Sequence, residues 1–221
     1  MVSLTERVFD QCTRGRVNLL RLPEVKPLEI DARAAAEFDS MLDATDEGGW
    51  IEYRSSRPKH LFLRYVGERG RCLLHGSNDT GIAEFEPRAQ ETYTGELVEA
   101  VFATNDGIWV LFFAVVARPP VWSLRNACNV RAGRRRYFFA IDTDPAAPES
   151  WTDGAVYLLP PDTFEQTYDA EWISPAPVCA RAWLAVTRAD FPYADRVFRH
   201  RFGESDASFM TRLARAGFLR S

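Results

Sequence analysis

Residues 108–117, IWVLFFAVVA, form the longest apolar stretch of the chain. Leaving such a run in water is costly, at about 25 cal/mol per Å2 of apolar surface. It is too short to cross a bilayer, which takes about 20 residues as a helix. The run therefore predicts a buried helix over 107–117. Asn105 or Asp106 caps its start and Pro119-Pro120 stops it. The 221 residues suffice for one sizeable core, or one domain plus a small appendage.

The texture changes on either side of that helix. Asp31 predicts a helix through DARAAAEFDSMLDA, ended by Gly48-Gly49, and Pro58 opens a second through PKHLFLRYVGERG. In the second, Leu61, Phe62, Tyr65 and Val66 share one apolar face. From residue 71 short β-rich runs follow: 71–75 (RCLLH), 98–104 (VEAVFAT), 135–141 (RRYFFAI), 155–159 (AVYLL), 171–174 (EWIS) and 178–187 (VCARAWLAVT). A last helix, SFMTRLARA, is predicted with Asp206 as its cap and Gly217 at its C-cap. Strands fill the centre and helices the ends, so the class is α+β. No boundary between two domains is evident. The chain reads as one domain, 1–221, with a mainly helical part at 1–70, a strand-rich core at 71–187 and a helical end at 188–221.

Net charge is -4 and 26% of residues are charged, so no general affinity for nucleic acid or anionic membrane follows. Cys12, Cys72, Cys128 and Cys179 lie apart, with no CxxC pair and no histidine at metal-ligand spacing. They read as reduced core thiols of a cytoplasmic protein. MVSLTERVFDQ carries charges where a signal peptide needs an apolar run. No membrane association is expected. There is no GxGxxG, GKS or GKT phosphate loop and no GxSxG. IDTDP lacks the remaining ligands of a calcium loop, and three histidines leave little room for a zinc centre, so no metal is expected. The tryptophans at 50, 122, 151, 172 and 183 read as core.

Three segments carry chemistry. In Leu74-His75-Gly76-Ser77 a histidine ends a strand and a glycine bares the backbone beside it. Ala100-Val101-Phe102-Ala103-Thr104 is a strand that feeds the apolar helix. Glu171-Trp172-Ile173-Ser174 sets a carboxylate at a strand start, followed by Val178 and Trp183-Leu184.

In this order the three segments resemble the motifs of the ADP-ribosyltransferase superfamily, of the poly(ADP-ribose) polymerase and diphtheria-toxin type, over residues 71–187. His75-Gly76-Ser77 is similar to its His-Gly-Ser motif. The strand through Phe102 is similar to its second, and Glu171-Trp172-Ile173 to its Glu-Tyr-Ile. Phe102 stands where the family has a tyrosine, so the aromatic face is kept and the hydroxyl lost. The resemblance implies a split antiparallel sheet holding NAD as substrate. Glu171 would stabilise the oxocarbenium-like transition state, and His75 would position a ribose. The Gly76 backbone would read the carboxamide, with Ser77 assisting. Phe102, and Trp109 or Phe113, would stack on the nicotinamide. The implied activity is NAD-dependent ADP-ribosyl transfer or NAD hydrolysis, with a protein or nucleic-acid acceptor. A non-catalytic NAD or ADP-ribose binding module on the same fold is the alternative, as is an RNA 2'-phosphotransferase-like activity.

Each residue has a plainer reading as well. His75 and Gly76 can be turn residues, Glu171 an exposed strand charge, and Phe102, Trp109 and Phe113 core. The cluster Arg131, Arg134, Arg135 and Arg136 reads as a solvated turn, or as a seat for phosphates.

Overall fold

The computed structural model describes residues 21–218; the readings of Cys12 and of the N-terminus fall outside them. In chain order the elements are β1 (Glu24–Val25), α1 (Ala32–Asp43), β2 (Gly49–Trp50), α2 (Lys59–Glu68), β3 (Leu73–Ser77), β4 (Glu84–Phe85), β5 (Arg88–Glu91), β6 (Leu97–Thr104), α3 (Trp109–Val115), β7 (Leu124–Arg131), β8 (Arg134–Ile141), β9 (Gly154–Leu159), β10 (Glu165–Tyr168), β11 (Glu171–Ser174), β12 (Val178–Cys179), β13 (Ala182–Val186), β14 (Phe198–Arg199) and α4 (Asp206–Phe218). The protein is α+β, with largely antiparallel sheets. Chain contacts group the described residues into two compact units, 28–117 with 151–192, and 21–27 with 118–150 and 193–218.

The larger unit is built on an eight-stranded sheet in the order β10-β11-β6-β3-β9-β13-β2, with β5 also paired to β6. The apolar run forms α3, shorter than expected at Trp109–Val115. Asp106 is its cap: the carboxylate, 1% exposed, accepts the N–H groups of Ile108 (2.8 Å) and Trp109 (2.6 Å). Two glycines let α3 lie against the sheet. A Cβ on Gly76 would sit 2.5 Å from the Val110 carbonyl oxygen, and one on Gly154 2.0 Å from that of Ala114. Asp106→Ala should lower stability by about 1–2 kcal/mol, visible as a drop in urea midpoint at unchanged m-value. An unchanged midpoint would show the cap to be dispensable.

The helices before the sheet form as their sequence directs. Asp31 caps α1 by accepting the Ala34 N–H at 2.7 Å. The helix ends at Asp43, before Gly48-Gly49, because its last carbonyls bond the N–H groups at Ala44 and Thr45. Phe38 of α1 meets Phe62 and Tyr65 of α2 at ring distances of 5.4 and 5.5 Å. Of the predicted apolar face Phe62, Tyr65 and Val66 are buried and Leu61 half-buried, while burial extends to Leu63, Arg64 and Gly67.

In the smaller unit, β7 and β8 form a hairpin paired from Leu124↔Ile141 to Arg131↔Arg134. Its two-residue turn, Ala132-Gly133, has positive φ at both positions (50° and 74°), the geometry that matches strand twist. Strand β7 is absent from the sequence-based elements. LRNACNVR mixes polar and apolar residues without alternation, because Ala127, Cys128 and Asn129 are buried on both faces. Phe138 of β8 packs on Phe198 (5.5 Å) and on Phe209 of α4 (6.0 Å). In α4, Asp206 is the first helical residue; the Ser205 hydroxyl accepts the Ser208 N–H at 3.3 Å, and the helix runs through Gly217.

The run 178–187 is two strands in different sheets: β12 pairs with β4, β13 with β9 and β2. Trp50 and Trp122 are exposed, at 56% and 74%. Cys72 and Cys128 are buried, but Cys179 is exposed beside Glu84, whose carboxylate holds the thiol's pKa up. Among the described residues, no helix is long and apolar enough to cross a membrane, and no group of three or more His, Cys, Asp or Glu could hold a metal ion.

Candidate functional site

The three motif strands are neighbours, in the order β11-β6-β3. Their registers decide where the side chains point. Leu74 lies opposite Thr104, and Thr104 opposite Glu171. Residues directly opposite one another share a face, and successive residues alternate. Glu171 therefore projects with Leu74, and His75, the next residue, projects to the other face. The two motif residues expected to face one NAD cleft project to opposite sides of the sheet.

His75 is half-buried, with its ring 4.5 Å from that of Phe85. Only one register pair joins β3 to β6, and beyond it the imidazole takes over: its Nδ1 lies 2.7 Å from the Phe102 carbonyl oxygen. A carbonyl only accepts, so Nδ1 carries the proton. Burial pushes the pKa of His75 below its ordinary value of 6.5, so the ring is neutral at pH 7. The Nε2 lone pair is then an acceptor, and among the described residues no group bonds it. On the same face, Trp172 lies opposite Ala103 and packs against the cluster of Leu73, Phe85 and Tyr157. Its indole N–H is buried and has no acceptor among the described residues. This face thus carries one unmatched acceptor and one unmatched donor among aromatic rings.

Glu171, 9% exposed, is spoken for. Both carboxylate oxygens accept the Tyr93 N–H (3.1 and 3.2 Å), and one accepts the Thr167 hydroxyl (2.8 Å). The Tyr93 and Tyr168 rings stack at 4.2 Å, so the carboxylate ties the 92–96 turn to the β10–β11 hairpin.

The remaining motif residues divide between the faces. Gly76 alternates with His75 and abuts α3, where the Phe113 Cβ is 3.2 Å from its missing side chain. Trp109 is 7% exposed and packs edge-on against Phe113 at 5.7 Å. Phe102, opposite Ile173, shares the Glu171 face by alternation with Thr104. Only Ser77 alternates back to the His75 side, and its hydroxyl accepts the Asp79 N–H at 3.1 Å.

In the smaller unit the 131–136 arginines flank the hairpin turn. Arg134 and Arg136 both reach the Glu24 carboxylate, at 3.0 and 2.9 Å, and hold its pKa down. A second basic group went unnoticed in the sequence. Arg199, Arg201 and Arg212, with Asp142 and Phe202, line a hollow of about 490 Å3. The arginine-rich run RVFRHRF at 196–202 is the signal that could have revealed it.

The chain matches no protein-family model, no curated protein and no solved structure. Fold and site define the class directly: an α+β protein whose main sheet sets an uncharged histidine and an unsatisfied indole on one aromatic face.

Proposed function

We propose that the larger unit is a nucleotide-recognition module that binds NAD or ADP-ribose without turning it over. The observation that carries this is the His75 face. A neutral imidazole offers Nε2 to a ribose hydroxyl, the Trp172 N–H seeks an acceptor, and Phe85 supplies a ring beside them. The motif resemblance supports the dinucleotide as the ligand class. Glu171 argues against chemistry, because its oxygens are engaged and its strand register turns it from His75. A transferase or glycohydrolase is the second reading, favoured by the adjacency of the three motif strands.

Calorimetry with NAD and ADP-ribose, paired with a nicotinamide-release assay, separates the readings. Binding should weaken about tenfold or more in His75→Ala, the loss of one hydrogen bond to a buried partner. Nicotinamide release should stay at the uncatalysed background in the parent and in Glu171→Gln alike. Failure of both ligands to bind defeats the proposal; release that Glu171→Gln abolishes favours the transferase.

The pH dependence has a defined sign. The folded pKa of His75 is lowered, so its neutral form contributes stability above pH 6.5, lost as pH falls through the folded value. Protonation also converts Nε2 from acceptor to donor. Ligand binding should hold steady above pH 6.5 and decline in acid, and His75→Gln should remove the decline. A pH profile that is identical in the variant would detach it from this imidazole.

A further inference from the structure

The net charge of -4 conceals a division. Residues 28–117 and 151–192 hold 10 Lys and Arg against 22 Asp and Glu, a net of -12. In the smaller unit, residues 21–27, 118–150 and 193–218 hold 13 against 7, a net of +6. The unit with the opposite sign is the one that carries the arginine-lined hollow.

The cations there are unequal. Arg212 is paired with Glu204 at 2.8 Å, holds that carboxyl's pKa down to about 2, and donates to the Arg199 carbonyl at 2.9 Å. It is a structural brace for the wall. Arg199 and Arg201 are exposed, and among the described residues neither guanidinium has a hydrogen bond or ion pair. The acid in the hollow, Asp142, accepts the backbone N–H groups of Trp122 (3.2 Å) and Ser123 (3.1 Å). Its charge is spent on fixing the chain there. Phe202 is 78% exposed, on a turn closed by the Glu204 N–H on the Arg201 carbonyl at 3.0 Å. Trp122, 74% exposed, starts at the same Asp142.

Two free guanidinium forks and the bare Phe202 ring line one hollow, and a second bare ring, Trp122, is tied by its backbone to Asp142 of the same wall. On a cationic unit these match a chain of phosphates and flat bases. Arginine meets phosphate with a planar pair of donors, and an exposed ring gives a base a stacking surface that no duplex would use. We propose that the smaller unit binds single-stranded nucleic acid, with phosphates on Arg199 and Arg201 and bases stacked on Phe202 and Trp122. The proposal is independent of the His75 face.

Fluorescence anisotropy on the full chain tests it, with labelled oligo(U) and oligo(dT) of about 15 nucleotides, a length that covers one stacking platform and its flanks. Binding should appear at low salt and weaken about tenfold or more between roughly 50 and 200 mM salt. Arg199→Ala with Arg201→Ala should weaken it and flatten the salt slope by about two phosphate contacts. Phe202→Ala should weaken it about fivefold or more with the slope unchanged, which separates stacking from charge. These side chains are exposed, so the variants should keep the parent's melting temperature. Comparing the two oligonucleotides tells RNA from DNA as the preferred strand. His75→Ala should bind as the parent does. Absence of binding at low salt overturns the proposal. So does binding indifferent to all three residues, or UMP competing as well as the oligonucleotide, which would leave a free-nucleotide site.

Discussion

Gly154→Val should destabilise the larger unit more than any other single change on the sheet face that carries α3. Gly154 begins β9 opposite Val186 and faces α3. A Cβ there would lie 2.0 Å from the Ala114 carbonyl oxygen and 2.6 Å from that of Ser77. Both obstacles are backbone, so no rotamer change relieves the clash. The helix must retreat from β3 and β9, opening the contacts of Phe112 and Val115, which are fully buried. Overpacking of a tight core costs about 1–3 kcal/mol and more where backbone must move. Because backbone must move here, the loss lies above that range and removes a large share of a usual total of about 5–15 kcal/mol. Even Gly154→Ala should cost about 3 kcal/mol, measured as a lowered urea midpoint. Gly81→Ala is the control. Gly81 has φ +77° with nothing within 4 Å of the new carbon, so its cost is confined to the left-handed backbone, about 1 kcal/mol. Equal costs at the two sites would refute the close-approach argument.

The second large effect falls on Tyr157. This fully buried ring lies opposite His75 on β3 and Trp183 on β13 and meets Phe85 at 5.0 Å. Its hydroxyl donates to the Asp79 carbonyl (2.8 Å) and accepts the Ile82 N–H (3.0 Å), holding the loop that leads into β4. Tyr157→Ala should cost about 3–5 kcal/mol through the cavity it opens. Tyr157→Phe keeps the ring but strands two backbone groups, which should cost about 1–3 kcal/mol. Hydrogen exchange gives the sharper readout: the Ile82 amide should lose protection in Tyr157→Phe while amides of β9 keep theirs. Retained protection at Ile82 would mean that the loop is held by something else.

Much of the local structure was legible in the residues. The apolar run had to be buried, and Asp31 and Asp106 had to cap what followed them, because short-range hydrogen bonding and apolar spacing decide such features. The bounds of β11 were readable for the same reason. Strand β7 was not, since a strand buried on both faces shows no alternation, and a hairpin rich in arginine looks like a solvated turn. Here the turn is only Ala132-Gly133, and two of its arginines answer Glu24, more than 100 residues away in sequence.

The candidate site shows the same limit more sharply. The order of His75, Phe102 and Glu171 along the chain fixes that three strands carry them, and those strands do lie side by side. Which face each side chain takes depends on register, and a shift of one residue reverses it. Register is settled by pairing across the sheet, Leu74 with Thr104 and Thr104 with Glu171, which no spacing in the sequence encodes. Charge behaves likewise. The sequence determined the total, -4, which argues against a nucleic-acid surface. The tertiary structure alone decided that the acidic and basic residues sort into different units, because proximity follows from packing of distant segments, and an electrostatic field depends on where charges sit as well as on how many there are.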